Sequence, residues 1–101
     1  MEQRPVEFHP AAVYEAQAAR EWYALRSSSA ADAFIAELDE AIAGIVSFPK
    51  SWSKYLYGTR HRLLARFPYI VVYRELSDEV QIVAVAHARR RPGYWMDRTG
   101  E

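Results

Sequence analysis

The chain has 101 residues, no cysteine, and a formal net charge of zero from 13 Lys and Arg against 13 Asp and Glu. That length suits a single domain, residues 1–101, around one core, and without cysteine neither a disulfide framework nor a thiolate metal site is possible. No apolar run approaches the ~20 residues that cross a bilayer and the opening residues lack the pattern of an export signal, so a soluble, cytoplasmic chain with no membrane contact is expected.

Val6 to Phe8 is long enough for one short strand, and Pro10 stands where the first turn of a helix tolerates proline. Tyr14, Ala18, Trp22 and Leu25 follow at helical spacing, which reads as the buried stripe of a first helix. The run "RSSSAAD" breaks the pattern. Ser29, with Asp32 three residues on, suits the cap of a second helix, whose stripe is Phe34, Leu38, Ala41, Ile42 and Ile45 until Phe48-Pro49 stops it. A loop containing Trp52, Tyr55, Tyr57, Lys50 and Lys54 leads to a change of period from about 3.6 to 2. In "TRHRLLARF" the alternation sets Arg60, Arg62, Leu64 and Arg66 on one face and His61, Leu63, Ala65 and Phe67 on the other, the presumed core face. "YIVVYREL" and the nearly all-apolar "VQIVAVAHA" are two further strands joined by a turn, the second of them central and covered on both sides. The order β-α-α-β-β-β gives an α+β fold, with a helical hairpin packed on one face of a small, mainly antiparallel twisted sheet. The other face is expected to be partly open and furnished with the arginines.

Those arginines are unevenly distributed. Residues 1–58 carry five Lys or Arg against eight acids, whereas residues 59–101 carry eight Arg against five acids. Guanidinium is a permanently charged planar fork that matches carboxylate and phosphate, so the imbalance points to an anionic partner, with a merely solvated basic surface as the plainer alternative. "VAHARRRPGYW" concentrates the charge, running from a buried strand into Arg89, Arg90 and Arg91 and then Tyr94 and Trp95.

The short leading strand, the helical hairpin ending in "SFP", the arginine-rich strand, the "RFPYIVVYRE" hairpin and the terminal "VAHARRRPGYW" together resemble the RelE/ParE superfamily of bacterial type II toxins, in its ParE-like, plasmid stabilisation branch. The resemblance implies a growth inhibitor neutralised by a cognate antitoxin that is acidic and partly disordered when free. It implies DNA gyrase as the target of the ParE branch and mRNA on the ribosome as the target of the RelE branch. Operator DNA would be reached only through the antitoxin, and no cofactor or metal is implied.

Chemistry separates the two branches. Cutting RNA needs a proton acceptor, a proton donor and cations for the phosphate, and arginine supplies only the last. His9 at a helix entrance and His61 on a core face read as structural. The best nuclease constellation is therefore His87, Arg89 and Tyr94 with Arg62 or Arg66 across the sheet. The basic residue that RelE-type toxins carry six positions before a terminal tyrosine falls here on Ala88, and Arg89 would replace it only from the opposite face of the strand. A binding inhibitor is the favoured reading, with antitoxin or target held by Arg60, Arg62, Arg66, Arg89, Arg90, Arg91, Tyr94 and Trp95. A non-toxic RNA-binding module is the third reading, marked by salt-dependent retention of RNA.

Overall fold

In the computed structural model, which describes residues 4–100, the chain runs β1 (Val6–Phe8), α1 (Pro10–Ala24), α2 (Ser28–Ser47), β2 (Ser53–Lys54), β3 (Arg60–Leu63), β4 (Tyr69–Glu75) and β5 (Val80–His87). Short 3₁₀ turns occupy Leu56–Gly58 and Met96–Thr99. His9 caps α1, its Nδ1 accepting the Ala11 N–H at 3.0 Å, and Pro10 takes the first helical position, where a missing N–H is harmless. Ser27, not the expected Ser29, caps α2. Its backbone is extended and its Oγ accepts the Ala30 N–H at 3.2 Å, which leaves Ser29 inside the helix.

The strands lie in the order β1-β5-β4-β3-β2, with β1 parallel to β5 and the other pairs antiparallel. The expected α+β architecture is found, and the short β2 is an addition to it. Strand β5 is buried from Val80 to Ala86, as a continuous apolar run at a sheet centre requires. It carries a bulge: Val72 pairs with Ala84 and Tyr73 with Ile82, leaving Val83 as the extra residue. One face of the sheet packs Val71, Tyr73, Val80, Ile82 and Val85 against the expected α2 stripe of Phe34, Leu38, Ala41, Ile42 and Ile45. The C-terminal segment covers part of the other face, where Trp95, only 1% exposed, packs on Val72, Val83, Ala84 and Ala86.

Two elements present the opposite face from the one their periodicity suggests. On α1 the buried residues are Ala12 and Ala19, joined by Ala16 and Tyr23. The stripe read as core points outward, with Tyr14 71%, Trp22 50% and Leu25 86% exposed. Alanines let α1 approach α2 and β5 closely, so the small-residue stripe turns inward. On β3, Leu64 is buried in the helix-side core and Arg62 donates to the Ala41 carbonyl of α2 at 3.0 Å, while Leu63 is exposed. His61 instead packs on Tyr55, ring centroids 4.3 Å apart. The Glu37 carboxylate accepts the N–H groups of Ala65 and Arg66, which ends the strand early and lets Phe67 fold in against Tyr23 and Phe34.

The edge of β5 is finished by side chains. His9 N–H donates to Ile82 O at 2.9 Å, and past that point no strand continues β1. Glu15 then accepts the Val85 N–H at 3.0 Å and Arg98 donates to Val83 O at 3.1 Å. Arg98 also grips Glu15 through both terminal nitrogens at 2.9 Å, and the Tyr94 hydroxyl donates to the same carboxylate at 2.6 Å. Across the sheet Tyr57 is held in the left-handed region at φ 56°, at a cost of about 1–2 kcal/mol, with its ring against Trp95. A Cβ on Gly93, itself at φ 83°, would lie 3.0 Å from that ring, so glycine is required there.

Because Glu15 serves Val85, Tyr94 and Arg98 at once, Glu15→Ala should cost about 3 kcal/mol or more, the usual scale for stranding a buried charge. Tyr94→Phe removes one donor and should cost about 1 kcal/mol. Urea midpoints of the two variants check this, and a Glu15→Ala loss no greater than that of Tyr94→Phe would contradict it.

Candidate functional site

The outward stripe of α1 forms one wall of a groove of about 460 Å³. Tyr14, Ala18 and Trp22 line it on the helix side, Tyr69 and Val85 line the sheet side, and His87, Arg90 and Tyr94 close one end. The walls are aromatic and aliphatic and the rim is cationic. The Arg26 guanidinium lies 3.4 Å above the Trp22 ring, and that of Arg90 lies 3.7 Å above the Tyr94 ring. Arg89 and Arg91 are exposed beside Arg90, so the three consecutive arginines make a ridge at the groove mouth.

The turn that carries the ridge is organised by His87. Its Nδ1 accepts the Arg89 N–H at 3.1 Å, its ring meets Tyr69 edge-on at 5.1 Å, and its carbonyl accepts the Arg90 N–H at 3.0 Å. Tyr94 is the other titratable group at this end. Burial raises its pKa well above the ordinary tyrosine value, and donation to the Glu15 carboxylate raises it further. Its proton is thus fixed between the hydroxyl and Glu15.

The sequence-derived site residues fall into separate places. His87, Arg90 and Tyr94 share the groove, with Arg89 and Arg91 on its rim. Trp95 is a core residue. Arg62 and Arg66 line a different pocket, of about 270 Å³ between α2 and β3. There Arg62 reaches the Ala41 carbonyl and stacks on Trp52 at 4.1 Å, while Arg66 pairs with Glu37 at 3.2 Å. Arg60 donates to Trp52 O at 2.7 Å and lines a third pocket. Among the described residues His87 and Tyr94 line one cavity and Arg62 and Arg66 another, because β3 turns its arginines toward α2. The groove walls Tyr14, Trp22 and Tyr69 were missed as site residues. The available signal was the second small-residue stripe of α1, Ala12, Ala16 and Ala19, which competes for the inward face.

Residues 6–92 match the family described as the ParE toxin of the type II toxin-antitoxin system, parDE. No curated protein sequence matches the chain significantly. Among solved structures, one described as the chromosomal ParDE TA system from P. aeruginosa superposes with a TM-score of 0.74 at 17% identity, covering 86% of this chain and 98% of that one. At that identity the likeness concerns the fold.

If the α1 stripe is a free surface, Trp22→Ser and Leu25→Gln should each shift stability by less than about 0.5 kcal/mol. Phe34→Ala in the core should cost about 3–5 kcal/mol. Denaturation of the three variants tests the assignment, and a Trp22 loss as large as that of Phe34 would return the stripe to the core.

A pH dependence follows from Glu37. Burial opposes its ionisation, yet the Arg66 and Ala65 N–H groups and the Arg66 guanidinium outweigh this and hold its pKa below the usual carboxylate range. A depressed folded-state pKa gives stability that is present above the unfolded pKa and is lost as pH falls through the folded one. Stability should therefore drop as pH falls below about 4.3, and Glu37→Gln should flatten that drop. Urea midpoints near pH 7 and near pH 3 check it, and an unchanged acid limb in the variant would assign the drop to other carboxylates.

Proposed function

The chain belongs to the ParE toxin family of type II toxin-antitoxin systems, matched from residue 6 to 92, and from that premise we propose a ParE-like growth inhibitor that binds a replication target such as DNA gyrase and is neutralised by an acidic antitoxin. The observation that carries the reading is the uncovered groove: an apolar stripe on α1 with an arginine ridge at its mouth. An apolar floor with a one-signed rim suits an amphipathic acidic segment that orders as it docks. Covering a side chain the size of Trp22 or Leu25 is worth roughly 1.5–3 kcal/mol gross, enough in combination to offset the ordering of a flexible segment. The ridge adds steering and selection of an acidic partner more than raw affinity.

Binding also fits the site better than cleavage. Cleavage needs two groups that trade protons at the scissile phosphate, and Tyr94 is committed to Glu15. Glu15, the carboxylate lining the same groove, is taken up by Tyr94, Arg98 and the Val85 N–H, which leaves His87 without a free second group of that kind among the described residues.

Tagged chain expressed with its neighbouring reading frames should co-purify with a small acidic protein, and expressed alone it should slow growth. Induction should block gyrase supercoiling and leave mRNA uncut, with His87→Ala keeping most of the toxicity. Trp22→Ser combined with Arg90→Glu should weaken the antitoxin complex by several kcal/mol if both groups are desolvated in it. New mRNA ends mapped within translated frames, supercoiling intact and a loss of about 100-fold in His87→Ala would instead establish the RelE-like nuclease. Growth-neutral expression with no co-purifying partner would remove the toxin reading.

A further inference from the structure

The groove beside α1 has the size and the lining of a small-molecule cleft. Its volume of about 460 Å³ lies within the range of roughly 300–1,000 Å³ that such clefts span. Tyr14, Trp22, Tyr23 and Tyr69 place aromatic rings on its walls, and Ala18 and Ala19 line it with small side chains. Neighbouring rings are steeply inclined to one another: Trp22 to Tyr23 by 85°, Tyr23 to Tyr69 by 63° and Tyr69 to His87 by 77°. Rings set at such angles offer a flat guest edge-on as well as offset-stacked contacts.

The polar groups at the His87 end are donors that lack acceptors. Because Nδ1 of His87 accepts the Arg89 N–H at 3.1 Å, the neutral imidazole carries its proton on Nε2, and that N–H has no partner among the described residues. The Arg90 guanidinium is held 3.7 Å above the Tyr94 ring, and its nitrogens have no acceptor among the described residues either. A fork positioned by stacking, with its nitrogens unused, loses little freedom when an anion arrives. Glu15, the carboxylate that lines the groove, does not supply the missing acceptor. Its oxygens already serve the Val85 N–H, the Tyr94 hydroxyl and both terminal nitrogens of Arg98.

Aromatic walls and a donor-only end select a flat apolar body that carries an oxyanion. A single guanidinium fork matches the two coplanar oxygens of a carboxylate, and a neighbouring imidazole N–H adds a third donor from the same turn of chain. Arg89 and Arg91, exposed on either side of Arg90 in the sequence, raise the positive potential at that end.

We propose that the groove binds a small aromatic carboxylate, with the ring system against Trp22 and Tyr69 and the carboxylate on Arg90 and His87 Nε2. Such binding needs neither antitoxin nor target and does not rest on the toxin reading. It is tested by titrating the isotope-labelled full chain with naphthoate while following the indole N–H signals of Trp22 and Trp52. A saturable shift at Trp22 is expected, with Trp52, which lies outside the groove, as the reference that stays in place. Naphthamide, of the same shape without the charge, should bind about tenfold or more weakly, and naphthylmethylammonium more weakly still. Arg90→Gln should weaken naphthoate about tenfold or more. Lys54→Gln, the same change of charge at an exposed position outside the groove, should leave it within about twofold. No saturable shift at Trp22 overturns the proposal. Equal binding of naphthoate and naphthamide also overturns it, as does a loss in Lys54→Gln as large as that in Arg90→Gln.

Discussion

Glu15 ties together parts of the chain that nothing else joins. A sheet strand needs a partner for each outward N–H and C=O, and β5 runs out of partner strand after Ile82, where β1 has already turned into α1. Glu15, reaching from that helix, accepts the Val85 amide, and Arg98, held by Glu15, covers the Val83 carbonyl left outward by the bulge. Removing either side chain strands more than one group. The same carboxylate holds Tyr94, so it fixes the closed end of the groove, and through Arg98 it fixes the segment whose Trp95 covers the second face of the sheet. A buried ion pair is not in itself a source of stability. Here it matters because two hydrogen-bond debts of the backbone and one of a phenol are met at a single point.

Arginine supplies the basic character of the second half of the chain, and the structure divides it by use. Arg62 and Arg66 stitch β3 to α2, Arg74 ties β4 to the C-terminal turn, and Arg98 completes the β5 edge. Each is neutralised by, or hydrogen-bonded to, its own fold. Arg89, Arg90 and Arg91 follow the last strand, where the chain has left the sheet, and their charge faces solvent. Counting charges along a sequence cannot separate these uses, because the acceptors are mostly carbonyl groups, which have no identity in a sequence. The separation explains why a nearly neutral molecule presents a cationic rim beside an apolar groove.

Strands β4 and β5 and the α2 stripe were legible because each carries one unambiguous pattern: a continuous apolar run, or large residues spaced around a single helix face. Helix α1 carried two patterns. Its large stripe, Tyr14, Trp22 and Leu25, outranks its alanines on any hydrophobicity scale, yet close packing against a sheet favours the smaller side chains. Strand β3 misled for another reason. Its alternation persists beyond Leu63, but Glu37, 28 residues earlier, takes the next amides and ends the strand. A carboxylate that acts at that sequence distance leaves no local signal. The arginine ridge and His87 were legible as site residues because they follow directly from where the last strand stops.

The Glu15–Arg98 contact joins residues 83 positions apart. Among the described residues every α-helix and strand is complete once His87 has been synthesised, but the outer edge of β5 is not yet closed. Until residue 98 leaves the ribosome, a nascent chain presents the Val83 carbonyl unpaired on a strongly apolar strand, beside a Glu15 carboxylate that lacks its Arg98 partner, the kind of template onto which another chain adds. Contacts of such long sequence separation form late, since the loop they close must first be ordered. The last dozen residues thus act as an intramolecular guard against edge-to-edge aggregation, and premature termination just after β5 would leave a product whose fault is stickiness rather than the lack of any structural element.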